Sequence, residues 1–187
     1  MNVVETLILC TTIAANNLVV SVGLGAMGRY NYWKRIVVVF GLTEFSIPLI
    51  GLLLGKFLRS ILMDSAQAIS ASVLVALGVF FIWNAYQKPN DLKKIADQIS
   101  EWKSLLLLAL GLSLDNLAVG IGLGLGESNP LLIASLIGSL SMIFSYLGLQ
   151  LGKAGISINE KMTGLLTGLI LIGIGAVQLY RLFAPNM

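Results

Sequence analysis

The stretch "NNLVVSVGLG", residues 16–25, returns ninety-nine positions later as "DNLAVGIGLG", residues 115–124. Six of the ten aligned positions are identical, and the copies begin with the polar pairs Asn16–Asn17 and Asp115–Asn116. A polar pair followed by glycine-spaced apolar residues stands out in a chain that is 57% hydrophobic. Its return predicts that the chain uses the same helix twice.

The composition favours a membrane protein, because only 11% of the 187 residues are charged whereas a soluble domain carries roughly 25%. Each apolar run is near the ~20 residues that a helix needs to cross the hydrocarbon of a bilayer. We therefore predict an all-α, polytopic membrane protein with six transmembrane helices, at about residues 3–25, 35–57, 66–86, 104–125, 130–152 and 162–183.

The second helix of each half also matches. The stretch "GLTEFSIPLIGLLLGK" (41–56) aligns with "GSLSMIFSYLGLQLGK" (138–153) at six identical positions. Because each half holds an odd number of helices, the second half must enter the membrane from the opposite side. This is the inverted-repeat plan of many secondary transporters, whose sites lie near the midplane where the repeats meet. We expect three-helix repeats at 1–86 and 104–187, joined by a cytoplasmic linker at 87–103.

The basic residues predict the orientation of the chain. Nine of the twelve lie in the loops after the first, third and fifth segments, and basic loops stay in the cytoplasm. Both termini should therefore lie on the extracytoplasmic side of the cell (inner) membrane. The net charge of +3 is too small to indicate a nucleic-acid partner. The sequence also argues against an enzymatic function, because the chain has no histidine, one cysteine and no nucleotide-binding loop.

Two carboxylates, Glu44 and Asp115, lie deep inside apolar segments. A charged carboxylate at mid-bilayer costs at least ~3 kcal/mol on the translocon scale, and no Lys, Arg or His lies at a comparable depth. The two acids are therefore either protonated or share a cation. Pro48 adds a possible backbone ligand, because a proline has no N–H to donate to the carbonyl four residues earlier. That carbonyl belongs to Glu44, which therefore offers both a carboxylate and an unpaired backbone oxygen.

Further oxygen donors surround these acids in the sequence. Carboxylate, amide and hydroxyl oxygens suit Mg²⁺, Ca²⁺ or Mn²⁺ better than zinc or copper, and two carboxylates balance one divalent ion. We therefore expect a cation site where the two repeats meet. Its predicted ligands are Glu44, Asp115, Asn16, Asn17 and Asn116, with Thr43, Pro48 and Ser113 in support.

Three stretches resemble the bacterial manganese efflux pump (MntP) family, within a wider lysine-exporter-type superfamily. They are "FGLTEFSIPLIG" (40–51), "LSLDNLAVGIGLGLG" (112–126) and "LILIGIGAVQLY" (169–180). The resemblance implies a six-helix exporter that removes manganese from the cytoplasm, is driven by a counter-gradient and needs no cofactor. It carries the family's functional acids onto Glu44 and Asp115. In the first helix the family usually has an Asp where this chain has Asn16.

Two alternatives to a divalent-cation exporter stay open. One is an exporter of another small cation or of amino acids, which would need a larger cavity. The other is a membrane protein that no longer transports and acts through partners, and the neutral Asn16 is the feature that favours it. On the leading hypothesis, the partners are a metal ion, as transported substrate, and the lipid bilayer.

Overall fold

The computed structural model describes residues 3–62, 65–86, 102–126, 129–156 and 160–183. Within them all long elements are helices and no strand occurs. The helices are α1 (Val3–Ala26), α2 (Trp33–Leu62), α3 (Ala66–Tyr86), α4 (Trp102–Leu125), α5 (Pro130–Lys153) and α6 (Glu160–Phe183). A short 3-10 helix, Arg29–Tyr32, precedes α2, and Gly28 before it has a φ of 76° that favours glycine.

All six helices contain a segment long and apolar enough to cross a membrane. Large apolar side chains also remain exposed on their surfaces, including Leu107 at 70% and Trp83 at 68%. Apolar surface of this extent is stable when lipid, rather than water, covers it. The prediction of an all-α membrane protein with six spanning helices is confirmed.

The helix boundaries differ from the expected ones chiefly in α2, which has 30 residues. The segment after Gly55 contains no glycine or proline, so the helix continues beyond the apolar run to Leu62. Near this end, Arg59 donates from Nη1 to the carbonyl oxygen of Gly126 at 3.2 Å, which ties α2 to the end of α4. The helix α4 begins at Trp102, and the remainder of the expected linker, 87–101, lies outside the described residues.

Glycines allow the helix pairs to pack with their backbones in close contact. A Cβ added to Gly120 on α4 would lie 2.7 Å from the carbonyl oxygen of Pro48 on α2. A Cβ added to Gly148 on α5 would lie 2.8 Å from the Cβ of Ser21 on α1. Small residues spaced by four are the usual means by which membrane helices approach this closely.

The same glycine contacts give the relative directions of the helices. Along α2, Gly51 faces Gly120 and Gly55 faces Gly124 of α4, so these two helices run parallel. Along α5, Gly148 faces Leu18 and Gly152 faces Val22 of α1, so that pair is also parallel.

The helices α2 and α5 run antiparallel, because Gly41 faces Met142 while Gly138 faces Phe45. Taken together, these pairs make α1 antiparallel to α4. Exchanging α1 with α4 and α2 with α5 leaves the pairing of these helices unchanged. The two-fold relation between the complete halves stays a prediction.

Candidate functional site

Glu44 lies in the interior of α2, with only 1% of its surface exposed. Both of its carboxylate oxygens accept hydrogen bonds from α4. Ser113 Oγ donates to Oε1 at 2.9 Å, and Asn116 Nδ2 donates to Oε2 at 2.7 Å. The short side chains of Ser113 and Asn116 reach the carboxylate because the glycines between α2 and α4 bring the two backbones together.

These two donors stabilise the Glu44 carboxylate without neutralising it. A hydrogen bond to a charged group contributes about 1.5–3 kcal/mol, which offsets part of the cost of removing a carboxylate from water. No Lys or Arg of the described residues forms an ion pair with Glu44. The pocket can therefore take up a positive charge, whether a proton or a metal ion.

The second interior acid, Asp115, lies beside this pocket on α4. Its side chain is half-buried, and its Oδ1 accepts a hydrogen bond from the backbone N–H of Asn116 at 2.9 Å. Asp115 directly precedes Asn116, whose side chain donates to Glu44, so the two acidic residues lie at adjoining positions of α4 and α2. A cation bound near both carboxylates would balance their charges.

Two asparagines leave buried amide atoms without hydrogen-bond partners at the same place. Asn17 on α1 is 2% exposed, and its side chain approaches Glu44. Its Nδ2 nevertheless makes no hydrogen bond to the described part of the chain, and neither does Oδ1 of Asn116. Buried polar atoms without partners are uncommon because each one costs free energy. The free Asn116 oxygen is an available ligand for a hard cation.

The remaining predicted residues lie around this group rather than in it. Asn16 is half-buried and makes no hydrogen bond to the described residues near Glu44. The Thr43 hydroxyl donates to its own helix, at the carbonyl oxygens of Val39 (2.9 Å) and Phe40 (3.1 Å). Pro48 is buried in α2, one turn after Glu44. The structure thus brings Glu44, Asp115, Asn17, Asn116 and Ser113 together, and leaves Asn16 and Thr43 outside the hydrogen-bond network.

The donor set is that of an oxygen site with two carboxylates. Among the described residues there is no group of three or more His, Cys, Asp or Glu side chains that could hold a metal ion. A bound cation would therefore take amide, hydroxyl or water oxygens besides Glu44 and Asp115, and oxygen ligands of this kind suit Mg²⁺, Ca²⁺ and Mn²⁺. The ligand assignment stays a prediction.

Three serines that were not predicted as site residues share the interior with this group. Ser21 on α1 and Ser141 and Ser145 on α5 are fully buried, and none of their hydroxyls has a hydrogen-bond partner among the described residues. The alignment of 41–56 with 138–153 contained the signal, because it places Ser141 opposite Glu44 and Ser145 opposite Pro48. A serine in an apolar helix is easily read as a packing residue.

Comparison with known proteins gives a consistent result over most of the chain. The family described as "Putative manganese efflux pump" matches residues 27–179. No solved structure matches the chain.

Three curated relatives illustrate the similarity. A "Putative manganese efflux pump MntP" of Corynebacterium glutamicum is 32% identical over 97% of this chain and 98% of its own length. A protein of the same name from Bacillus velezensis is 39% identical over 83% of each chain. A "Probable manganese efflux pump MntP" of Escherichia coli is 30% identical over 98% of this chain and 99% of its own. With six spanning helices and this similarity along its length, the chain is a multi-pass membrane protein that belongs to the MntP family of efflux pumps, which are transporters and not enzymes.

Proposed function

We propose that this protein exports Mn²⁺ across the cell membrane through a site built around Glu44 and Asp115. The observation that carries the proposal is the Glu44 carboxylate, which is buried between membrane helices, held by Asn116 and Ser113, and paired with no basic side chain of the described residues. The names of the relatives supply the ion, since they are described as manganese efflux pumps.

The charge of the site fits a divalent ion. Two carboxylates, Glu44 and Asp115, carry two negative charges that Mn²⁺ balances, whereas a monovalent ion would leave one charge uncompensated in a region of low dielectric constant. The amide oxygen of Asn116 and the hydroxyl oxygen of Ser113 complete a set of hard ligands. Both residues would turn from donating to Glu44 to coordinating the ion beside it.

Transport would follow a secondary mechanism with alternating access. The pairs α1–α5 and α2–α4, each packed in parallel, would supply the two walls around the crossing of α2 with α5. Rocking of these pairs would open the site to one side and then to the other. A counter-gradient would drive the cycle. Both termini would face the extracytoplasmic side, as the distribution of basic residues indicates.

The experiment is a manganese-tolerance assay in a sensitive host that lacks its own exporter. The wild-type chain should protect the host, and Glu44→Gln and Asp115→Asn should each abolish protection because the ion loses a compensating charge. Asp91→Asn, in the expected linker, is the matched control and should protect fully. Full protection by both site variants, at equal amounts of protein in the membrane, contradicts the proposed site. Failure of the wild-type chain to protect contradicts manganese export itself.

A further inference from the structure

Four buried polar side chains on α1 and α5 form a second polar group, and of these only Asn17 also belongs to the Glu44 pocket. We call Asn17, Ser21, Ser141 and Ser145 the serine cluster. Each of them is 2% exposed or less, and each has a side-chain nitrogen or oxygen without a hydrogen-bond partner among the described residues. An isolated serine in a membrane helix usually donates to a carbonyl of its own helix, as Ser72 does to Ala68 at 2.8 Å. The three serines of the cluster do not.

The helix register brings these side chains to one interface. Gly148 of α5 faces Ser21 and Leu18 of α1, and the two helices run parallel. One turn earlier on each helix, Ser145 is therefore level with Asn17. Asn17 and Ser21 are four residues apart and share one face of α1, and Ser141 and Ser145 share one face of α5 in the same way.

The cluster adjoins the Glu44 pocket on two sides. The Asn17 side chain approaches the Glu44 carboxylate. Ser141 lies between Gly138 and Met142, which face Phe45 and Gly41 of α2, so Ser141 is level with the turn of α2 that carries Glu44. The serine cluster and the pocket thus form two neighbouring halves of one polar interior.

We propose that the serine cluster is a second, uncharged cation site, which receives the divalent ion after it leaves Glu44 and Asp115. The Ser145 hydroxyl can coordinate a hard cation directly, and the hydroxyls of Ser21 and Ser141, one helical turn away on either side, can do so through retained waters. Rotation of the Asn17 amide by about 180° would present its oxygen in place of Nδ2. The cluster supplies no carboxylate, so it binds the ion more weakly than the Glu44 pocket. This proposal rests on the proposed export function, and it assigns to the cluster the step of the export cycle in which the ion is bound weakly.

A cysteine placed in the cluster provides a test that does not depend on transport. Thiolates bind soft cations such as Cd²⁺, and Cys10 is the only native cysteine. In a Cys10→Ala background, purified Ser145→Cys should bind Cd²⁺ and give the ultraviolet absorbance of a cadmium–thiolate bond. Adding Asn17→Ala to this variant should weaken Cd²⁺ binding, because the ion loses a neighbouring oxygen of the cluster. Ser72→Cys is the control, because Ser72 is exposed on α3, and adding Asn17→Ala to it should leave its Cd²⁺ binding unchanged.

Ser141→Cys is a second probe that keeps the test decisive if Ser145→Cys does not fold. A cadmium signal that is absent from the folded variants, or that Asn17→Ala leaves unchanged, overturns the proposal, since the thiol would then bind Cd²⁺ without help from the other side chains of the cluster. The tolerance assay separates the two proposals. If the wild-type chain gives no manganese protection while the cadmium signal appears, the export function fails and the cation site stands.

The Mn²⁺ export rate of serine variants tests whether the cluster has a role in transport. The double variant Ser141→Ala, Ser145→Ala should keep Mn²⁺ affinity at the Glu44 pocket within about threefold while lowering the export rate by about tenfold or more, which corresponds to about 1.4 kcal/mol. Ser72→Ala should export normally. An unchanged export rate in the double variant contradicts a role for the cluster in transport.

Discussion

Asn116 on α4 donates a hydrogen bond from its Nδ2 to Oε2 of Glu44 on α2, at 2.7 Å. Both residues are 1% exposed. The bond joins the second helix of the first half to the first helix of the second half, so a movement of one helix against the other changes the environment of the buried carboxylate. This coupling between helix packing and the polar site underlies the predictions below.

The first prediction concerns Asn116→Leu. The substitution removes the donor to Oε2 and leaves a buried oxygen without it, which should lower the free energy of unfolding by about 1–3 kcal/mol. Thermal unfolding of the purified protein in detergent measures the effect. Asn31→Leu, on the exposed face of the 3-10 helix, should change stability by no more than about 0.5 kcal/mol. Equal stability of the two variants contradicts a stabilising Glu44–Asn116 bond.

The second prediction uses two glycines of α4 as a matched pair. In Gly120→Ala the new Cβ would meet the Pro48 carbonyl oxygen at 2.7 Å and Gly51 Cα at 3.2 Å, so α2 and α4 must separate. Forcing atoms into a packed interface costs about 1–3 kcal/mol. Gly111→Ala meets nothing within 4 Å and should be neutral, or stabilising by up to about 1 kcal/mol.

The readouts for this pair are thermal stability and manganese export. Gly120→Ala should lower both, because separating the helices withdraws Asn116 and Ser113 from Glu44. Wild-type behaviour of Gly120→Ala would mean that the close approach of α2 and α4 is not needed for the site.

The third prediction concerns Asn16, the neutral counterpart of Asp115 in the repeated motif. An amide and a carboxyl have nearly equal size, so Asn16→Asp should fold. It adds a titrating carboxyl near the pathway and a third negative charge, which a proton must neutralise when a divalent ion is bound. Manganese flux into proteoliposomes should therefore become more dependent on pH than in the parent. If the parent and Asn16→Asp have the same pH profile, Asn16 lies away from the pathway. Its role would then be a hydrogen bond between helices.

The fourth prediction concerns orientation. In a Cys10→Ala background, Lys34→Cys and Ser60→Cys place single thiols at exposed positions near opposite ends of α2. A membrane-impermeant maleimide should label Ser60→Cys in intact cells, and it should label Lys34→Cys only after the membrane is opened. This pattern follows from basic loops in the cytoplasm. The reverse pattern would place both termini in the cytoplasm.

Much of this architecture could be predicted from the sequence because the bilayer imposes a simple length and polarity rule. The six apolar runs were found with small errors at their ends, except where α2 continues to Leu62 along a segment without helix breakers. Asn116 and Ser113 were expected near Glu44 as oxygen donors to a cation, and the structure has both as hydrogen-bond donors to the Glu44 carboxylate. Their role toward a cation stays a prediction.

The sequence did not reveal which polar side chains form hydrogen bonds within their own helix. Thr43 bonds to its own backbone, a choice of side-chain rotamer that no spacing rule predicts. Ser141 and Ser145 were not among the predicted site residues, because their lack of hydrogen-bond partners among the described residues becomes visible only once the packing of α1 against α5 is known. Sequence patterns predict which face of a helix is buried, whereas tertiary contacts determine the hydrogen-bond partner of each polar atom.

The central claim is that Glu44 and Asp115 hold the transported ion, and equilibrium binding of Mn²⁺ to the purified protein tests it most directly. The account predicts that about one Mn²⁺ per chain binds at the tighter site, with its Kd raised at least tenfold, or about 1.4 kcal/mol, by Glu44→Gln and by Asp115→Asn. Asp91→Asn should bind as the parent does. Undiminished Mn²⁺ binding by both site variants would contradict the account.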